Sequence, residues 1–240
     1  VELNRLVEAS RSRGADWMVL SEYGVEDVTR PIFPNRLLAL SGDLQVQSTG
    51  HGELLDVHRS RAFAVCDHQL AHVHLSADAN ATAVIDRLQR LEGVERVLSG
   101  DQRTAVGLGH SRAGDLILLA ESGCWFAYPW WQDEALAPDF ARTVDIHRKP
   151  GYDPAELFVD PALRWPALKI GWRLLQKKLG MRALLDVIST DPSMVRGSHG
   201  RLPSRPELGP VMVRSWQSRE PSIDARDVHD EILELLRESE

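Results

Sequence analysis

A carboxylate and a phenol follow a short apolar run near the start of the chain, in the sequence WMVLSEYG at 17–24. The uninterrupted apolar run at 17–20 predicts a buried parallel strand covered on both faces. In an open α/β sheet, ligands bind beyond the carboxyl ends of such strands, which is where Glu22 and Tyr23 lie. A hard divalent cation at this place would accept an oxygen of Glu22.

A second polar segment, GSHG at 197–200, places His199 between two glycines and ahead of the apolar run PVMV at 210–213. Glycines beside a histidine allow a bound ion or substrate to approach closely. On spacing alone, an exposed loop histidine is favoured over a ligand. If PVMV and WMVL are strands of the same polarity in one sheet, we expect Glu22 and His199 to converge on one cleft.

A third group, Asp67, His68 and His72, brings potential ligands close together in the sequence, and His74 adds another. Along a single strand, His68 and His72 share a face while Asp67 points away. Polar residues on a surface facing a cleft are therefore favoured here over a metal site.

The sequence VDIHRKPGYDP at 144–154 holds the second candidate ligand histidine, His147. Arg148 and Lys149 could neutralise a phosphate, and Asp153 could lie at the wall of the same cleft. A purely structural turn, fixed by the prolines and the glycine of this segment, is an equal alternative.

Composition limits the classes of function. The chain has 240 residues, a formal charge of −7 and 43% hydrophobic residues, which predict a globular core and argue against a nucleic-acid polymer as partner. Two cysteines without a CxxC pattern argue against a disulfide scaffold or a zinc finger. No apolar run approaches the roughly 20 residues of a membrane span. The cytoplasm is the default compartment, but an export signal would lie upstream of Val1.

The hydrophobic patterns predict three parts: residues 1–60 as the first part of a core, 61–128 as an α+β cap, and 129–240 as the return to the core. Within the cap, the patterns predict a strand at 61–76, a helix ending at Gly93, and two strands in ERVLSG and GDLILLAESGCWFAY. A helix at 166–179 carries a basic stripe, for which a solvated face is favoured over contact with an anionic lipid surface. The stripe consists of Lys169, Arg173 and Lys177.

These segments together resemble a known family. VLSEYG resembles the SDHG turn of the alkaline phosphatase superfamily, and GSHG followed by GPVMV is similar to the late metal histidine and closing strand of its type I phosphodiesterase/nucleotide pyrophosphatase branch. AFAVCDHQLAHVHL, HSRAGDLILLAESGCWF and HRKPGYDPAEL are similar to that family's inserted cap and the return to its core. The resemblance covers nearly the whole chain, but only the C-terminal half of a typical member. It implies an α/β fold that contains only part of an alkaline-phosphatase-like core. This core has a parallel or mixed sheet with helices on both faces, and a small α+β cap is attached to it.

The resemblance implies a metal-dependent phosphoester or phosphodiester hydrolase with two divalent ions, usually Zn²⁺, and a small phosphate ester as substrate. It makes Glu22 and His199 metal ligands, with Tyr23 and His147 as further candidates. Glu22-Tyr23 replaces the family's Asp-His pair, which makes occupancy of the metal site doubtful because a neutral phenol is a poor substitute for imidazole.

The family's Thr or Ser nucleophile is expected upstream of Val1, so this chain alone is expected to be inactive. A truncated or diverged non-catalytic relic, or a binding module of the same fold, is the alternative. The oligomeric state is left open.

Overall fold

A computed structural model describes residues 2–145, 147–217 and 222–238. The chain divides into two compact units, one formed by residues 25–202 and the other by residues 1–24 together with 203–240. None of the described helices is long and apolar enough to cross a membrane.

The elements are numbered in chain order. The helices are α1 (Glu2–Arg11), α2 (Pro34–Leu40), α3 (Ala81–Gln89), α4 (Asp101–Ala105), α5 (Pro166–Lys178) and α6 (Val228–Glu238). The strands are β1 (Met18–Leu20), β2 (Glu26–Asp27), β3 (Arg30–Ile32), β4 (Val46–Thr49), β5 (Gly52–Leu55), β6 (Ala62–Asp67), β7 (Leu70–Leu75), β8 (Val94–Ser99), β9 (Leu116–Ala120), β10 (Cys124–Phe126), β11 (Gly197–Ser198) and β12 (Met212–Arg214). The α/β class predicted from the sequence is confirmed.

A four-stranded antiparallel sheet with the order β6-β7-β9-β8 lies at the centre of unit 25–202. Alternate residues of these strands, such as Ala64, Val73 and Leu118, are completely buried. They join Leu38 of α2 and Leu88 of α3 in one hydrophobic core. The two-residue alternation of small and branched side chains thus gives the sheet one face for the core and one wetter face.

Local signals explain where the helices of this unit begin. Asn80 precedes α3, and its side-chain oxygen accepts a hydrogen bond of 3.1 Å from the backbone N–H of Ala83. Such an N-cap satisfies a donor that the helix itself leaves unpaired. Pro34 and Pro166 begin α2 and α5, where a proline costs no hydrogen bond.

The prediction of a single strand at 61–76 is wrong in detail, because this segment forms the hairpin of β6 and β7. The strand predicted in GDLILLAESGCWFAY is interrupted at 121–123, which separates β9 from β10, and β10 pairs in parallel with β3 and not with β9. The other described strand pairs are antiparallel. Residues 61–128 lie inside unit 25–202, and the predicted boundaries after residues 60 and 128 stay predictions.

In the second unit, β1 pairs with β12, with Val19 opposite Val213. The two apolar runs are therefore strands of one sheet, as expected, but the expected equal polarity is wrong because they run antiparallel. The expectation of a buried β1 is also wrong, since Leu20 is 49% exposed. A three-residue strand in a two-stranded sheet has no second layer on each face, which is what a buried parallel strand requires.

Candidate functional site

The site begins at the tight turn between β6 and β7, which is made by His68 and Gln69. His68 has a φ of +57°, the left-handed conformation that a non-glycine residue adopts uncommonly. The His68 carbonyl accepts a hydrogen bond of 2.6 Å from the backbone N–H of Phe126. Gln69 donates its backbone N–H to the carbonyl of His199 at 2.8 Å. The turn is thereby fixed to β10 and to the glycine-flanked histidine segment.

This turn brings together His68 and His199, two of the residues singled out in the sequence. Their ring centroids lie 4.0 Å apart with an angle of 35° between the planes. The ring of Tyr152 lies 4.7 Å from that of His68 on centroids. The Ser198 hydroxyl oxygen is 3.4 Å from His68 Nδ1. The protein therefore builds a compact group of two imidazoles, a phenol and a hydroxyl around the turn.

Burial dominates the electrostatics of this group. It lowers the pKa of His68 to about 4, and the neighbouring His199 adds to this effect, whereas Asp67 opposes it. His68 is therefore neutral at pH 7. A neutral imidazole has one nitrogen that donates and one that accepts, so His68 can hydrogen-bond to a substrate or bind a metal ion.

A second polar cluster, which the sequence analysis did not identify, supports the other side of the turn. The amide of Gln69, 1% exposed, donates to Glu26 Oε2 at 2.9 Å. The Ser122 hydroxyl donates to Glu26 Oε1 in a short hydrogen bond, and Arg201 lies 3.9 Å from Glu26 Oε2. Burial raises the pKa of Glu26, but these partners outweigh burial and the net pKa is lowered. Glu26 belongs to a two-residue strand, and no sequence pattern points to it.

Asp67 and His72 lie on the wetter face of the sheet. His72 is opposite Val65 in the register, so it shares a face with Val65 and Asp67 of β6. The expectation that Asp67 points away from His72 is therefore wrong, because the turn after Asp67 reverses the chain. The backbone N–H of Gly114 donates to His72 Nδ1 at 3.1 Å. Burial and His74 lower the pKa of His72.

Lys149 and Asp153 form an internal ion pair. Lys149 Nζ lies 2.8 Å from Asp153 and 2.7 Å from Glu156, and its side chain is completely buried. The ammonium also lies 5.5 Å from the centre of the Tyr128 ring. In this arrangement Lys149 neutralises two carboxylates of its own chain. This agrees with the alternative that the segment is a structural turn and does not bind phosphate.

Arg148 and the exposed His147 line a cleft of about 660 Å³ in the same unit. Its walls are largely apolar and include Leu54, Phe63 and Trp130. Arg148 lies 3.8 Å from Asp139 and 3.5 Å from Asp145, so its charge is already partly balanced. The cleft has the size of a small-molecule site.

Glu22 and Tyr23 directly follow β1, as predicted, and both are exposed. They belong to the unit of residues 1–24 and 203–240, whereas His199 belongs to unit 25–202. The equal strand polarity on which their expected convergence depended is wrong, and the convergence itself stays a prediction.

Among residues 2–145, 147–217 and 222–238, no group of three or more His, Cys, Asp or Glu side chains is arranged to hold a metal ion. Structural and catalytic zinc sites use at least three protein ligands. The two imidazoles at the β6–β7 turn therefore do not form a complete metal centre together with the other described residues.

The chain is similar to a known protein family and to solved structures. The family model described as type I phosphodiesterase / nucleotide pyrophosphatase matches residues 2–153. No curated protein matches the chain. Two solved structures of phosphonoacetate hydrolase from Sinorhizobium meliloti 1021 are similar to it, one in complex with phosphonoformate and one with phosphonoacetate. Their identities are 18% and 17%, each with a TM-score of 0.38.

These two matches cover 51% and 56% of this chain, and 31% and 32% of the hydrolase chains. The chain thus spans about a third of the length of these solved proteins. At this identity and TM-score, the phosphonate ligands remain properties of those hydrolases.

Proposed function

Because the chain belongs to the type I phosphodiesterase / nucleotide pyrophosphatase family, we propose that it forms part of a metal-dependent phosphoester or phosphodiester hydrolase. The observation that carries this proposal is the position of His199. Its backbone is held by Gln69 at 2.8 Å and its ring packs against His68 at 4.0 Å. An imidazole fixed in this way loses little conformational freedom when it binds an ion or a substrate oxygen.

In this proposal His199 and Glu22 are metal ligands. Tyr23 and His147 are further candidates. Zn²⁺ held by these residues would supply a Lewis acid towards phosphoryl oxygens. The described residues do not make up a complete metal site. The family resemblance is what places the remaining ligands and the nucleophile of this proposal upstream of Val1.

For the substrate we propose a small phosphate ester whose organic group enters the cleft beside His147 and Arg148. The apolar walls of this cleft suit an aromatic or aliphatic group, and its volume of about 660 Å³ suits a small molecule. The formal charge of −7 argues against a nucleic-acid polymer in the same place.

Hydrolysis of bis(p-nitrophenyl) phosphate tests the proposal on two proteins. The first is the 240-residue chain, for which we expect no turnover with Zn²⁺ above a chelator-treated control, because a phosphoryl-transfer site needs a positioned nucleophile. The second is the same chain extended by the preceding reading frame, for which we expect turnover that a chelator abolishes. Turnover that resists the chelator, or the absence of turnover in the extended protein, would contradict the proposal of a metal-dependent hydrolase.

A variant pair in the extended protein assigns the role of His199. We expect His199→Ala to lower kcat/KM about 100-fold or more and to weaken zinc binding in a calorimetric titration. The exposed His229 is the matched control, and His229→Ala should leave both quantities unchanged. Equal zinc binding by the two variants would remove His199 from the set of metal ligands. If the extended protein were inactive but still bound small molecules in the cleft, the alternative of a non-catalytic binding module would be favoured.

A further inference from the structure

Helix α5 exposes a continuous apolar stripe to solvent. The stripe contains Leu168, Trp172 and Leu175 of α5, which are 69%, 56% and 45% exposed, and the flanking residues Trp165 and Leu179, which are 65% and 66% exposed. Their spacing of three or four residues places them on one face of the helix. No residue within α5 is fully buried. An apolar stripe of this kind normally faces the core, so its exposure indicates that it binds another surface.

The helix is attached to its own unit by its polar side. Arg173 Nε and Lys169 Nζ lie 2.8 Å and 3.1 Å from the carboxylate of Asp186. The Arg173–Asp186 pair is bidentate, with a second hydrogen bond of 3.0 Å. The basic stripe expected to be solvated is thus partly engaged by Asp186, and the apolar stripe is the side that faces outward. This is the reverse of an ordinary surface helix.

Residues 164–185 also differ from the rest of the chain in charge. They contain six basic residues and no acidic residue, in a chain whose formal charge is −7. The six are Arg164, Lys169, Arg173, Lys177, Lys178 and Arg182. Lys177 and Lys178 lie in the last turn of α5, are exposed, and form no ion pair with another described residue. Lys178 borders the face that presents the tryptophans, and Arg164 is adjacent to Trp165, whereas Lys177 continues the row of Lys169 and Arg173 on the opposite face.

We propose that α5 docks on an anionic lipid surface, with its axis parallel to the membrane plane. The apolar stripe would enter the headgroup region, where the tryptophans place their rings among the acyl chains and their N–H groups in the polar layer. Arg164 and Lys178 would contact lipid phosphates at the edges of the stripe. The positive charge of this face disfavours a second copy of the same face as the partner.

Binding of the 240-residue chain to vesicles tests this proposal by co-sedimentation. We expect binding to vesicles of equal parts phosphatidylcholine and phosphatidylglycerol, and little binding to phosphatidylcholine alone. High salt should weaken the binding, because the electrostatic part is screened. Free phosphate at the same concentration as the lipid should not compete, since it offers no apolar layer.

Two variants separate the apolar and charged contributions. Trp172→Glu and the double variant Arg164→Glu/Lys178→Glu should each lower the partition coefficient about tenfold or more. Leu40→Glu is the control for a charge placed on an exposed apolar residue elsewhere, because Leu40 is 72% exposed in α2. Arg59→Glu/Arg112→Glu is the control for the charge reversal, because both arginines are exposed outside α5. Circular dichroism confirms that each variant is folded.

Three results would overturn the proposal. One is the absence of vesicle binding by the parent protein. Another is equal binding by the α5 variants and their controls. The third is a concentration-dependent dimer that Trp172→Glu dissociates, which would identify a second copy as the cover of the stripe.

Discussion

Lys149 is the charged side chain whose environment gives the clearest prediction at the level of single residues. Its ammonium is completely buried between Asp153 and Glu156. Replacing it in Lys149→Met leaves two buried carboxylates without their cation, which typically costs about 3–5 kcal/mol. Burial already raises the pKa of Asp153 and Lys149 counteracts this, so part of the cost would appear as proton uptake by Asp153. Urea unfolding at pH 7 measures the loss.

The matched control for this prediction is Lys178→Met, because Lys178 is exposed and has no ion pair with another described residue. Its effect should stay within about 0.5 kcal/mol. The triple variant Lys149→Met/Asp153→Asn/Glu156→Gln should recover much of the lost stability, since it buries no unpaired charge. Equal midpoints for Lys149→Met and Lys178→Met would show that the pair contributes nothing to stability.

Glu26 gives a prediction about pH. Its partners Ser122, Gln69 and Arg201 lower its pKa below the ordinary value of 4.5 despite burial. A carboxylate with a lowered pKa in the folded state stabilises the protein above its unfolded pKa, and this stabilisation is lost as the pH falls below that value. We expect Glu26→Gln to lower the free energy of unfolding by about 1–2 kcal/mol at pH 7. The difference from the parent should shrink as the pH is lowered from about 5 to about 3.

Urea unfolding across this pH range measures the effect, and Glu8→Gln on the exposed surface of α1 serves as the control. A Glu26→Gln deficit that stays constant down to pH 3 would mean that packing, and not the carboxylate charge, links Glu26 to the β6–β7 turn.

At the level of elements, segment 150–152 is held along the edge of β6. The backbone N–H of Cys66 donates to Pro150 at 3.0 Å, and the N–H of Tyr152 donates to Cys66 at 2.8 Å. Gly151 lies between them with a φ of +111°, and a Cβ built on it would overlap the Cys66 carbonyl. This close approach of two backbones positions Tyr152 beside His68.

Gly151→Ala should therefore destabilise the protein by about 3 kcal/mol or more, because both the backbone conformation and the backbone contact are lost. Gly107→Ala is the matched control: Gly107 also has a positive φ, of +78°, but no atom lies within 4 Å of its added Cβ. Its cost should be about 1 kcal/mol, from conformational strain alone. Thermal unfolding followed by circular dichroism compares the two. Equal losses would mean that the Cys66 contact does not stabilise the fold.

The elements also show which features the sequence could predict. The alternation in β7 and the helical spacing of apolar residues in α3 predicted these elements because their periodicity reflects burial on one face. The β6–β7 turn was missed because it contains no glycine or proline, and His68 itself adopts the positive φ. The contact of His68 with His199 could not be predicted for the same reason. It depends on a turn and on a pairing across the chain, which local patterns do not encode.

At the scale of the whole molecule, the core is distributed unequally between the two units. Every fully buried hydrophobic residue of the described chain lies between Val28 and Val195, inside unit 25–202. The sequence did not indicate this difference. α1 and α6 have amphipathic patterns like that of α3, and a pattern predicts that a face can be buried but not how completely its surroundings bury it.

The last prediction follows from this distribution. Hydrophobic burial is the dominant favourable term in folding, and unit 25–202 holds the described core, including the buried Trp125, Trp130 and Trp131. We expect residues 25–202, expressed alone, to unfold in one cooperative urea transition, with tryptophan fluorescence and circular dichroism changing together. The midpoint should lie close to that of the same transition in the full chain. A fragment that shows the fluorescence of solvent-exposed tryptophan without denaturant would prove that residues 1–24 and 203–240 are required for the core to form.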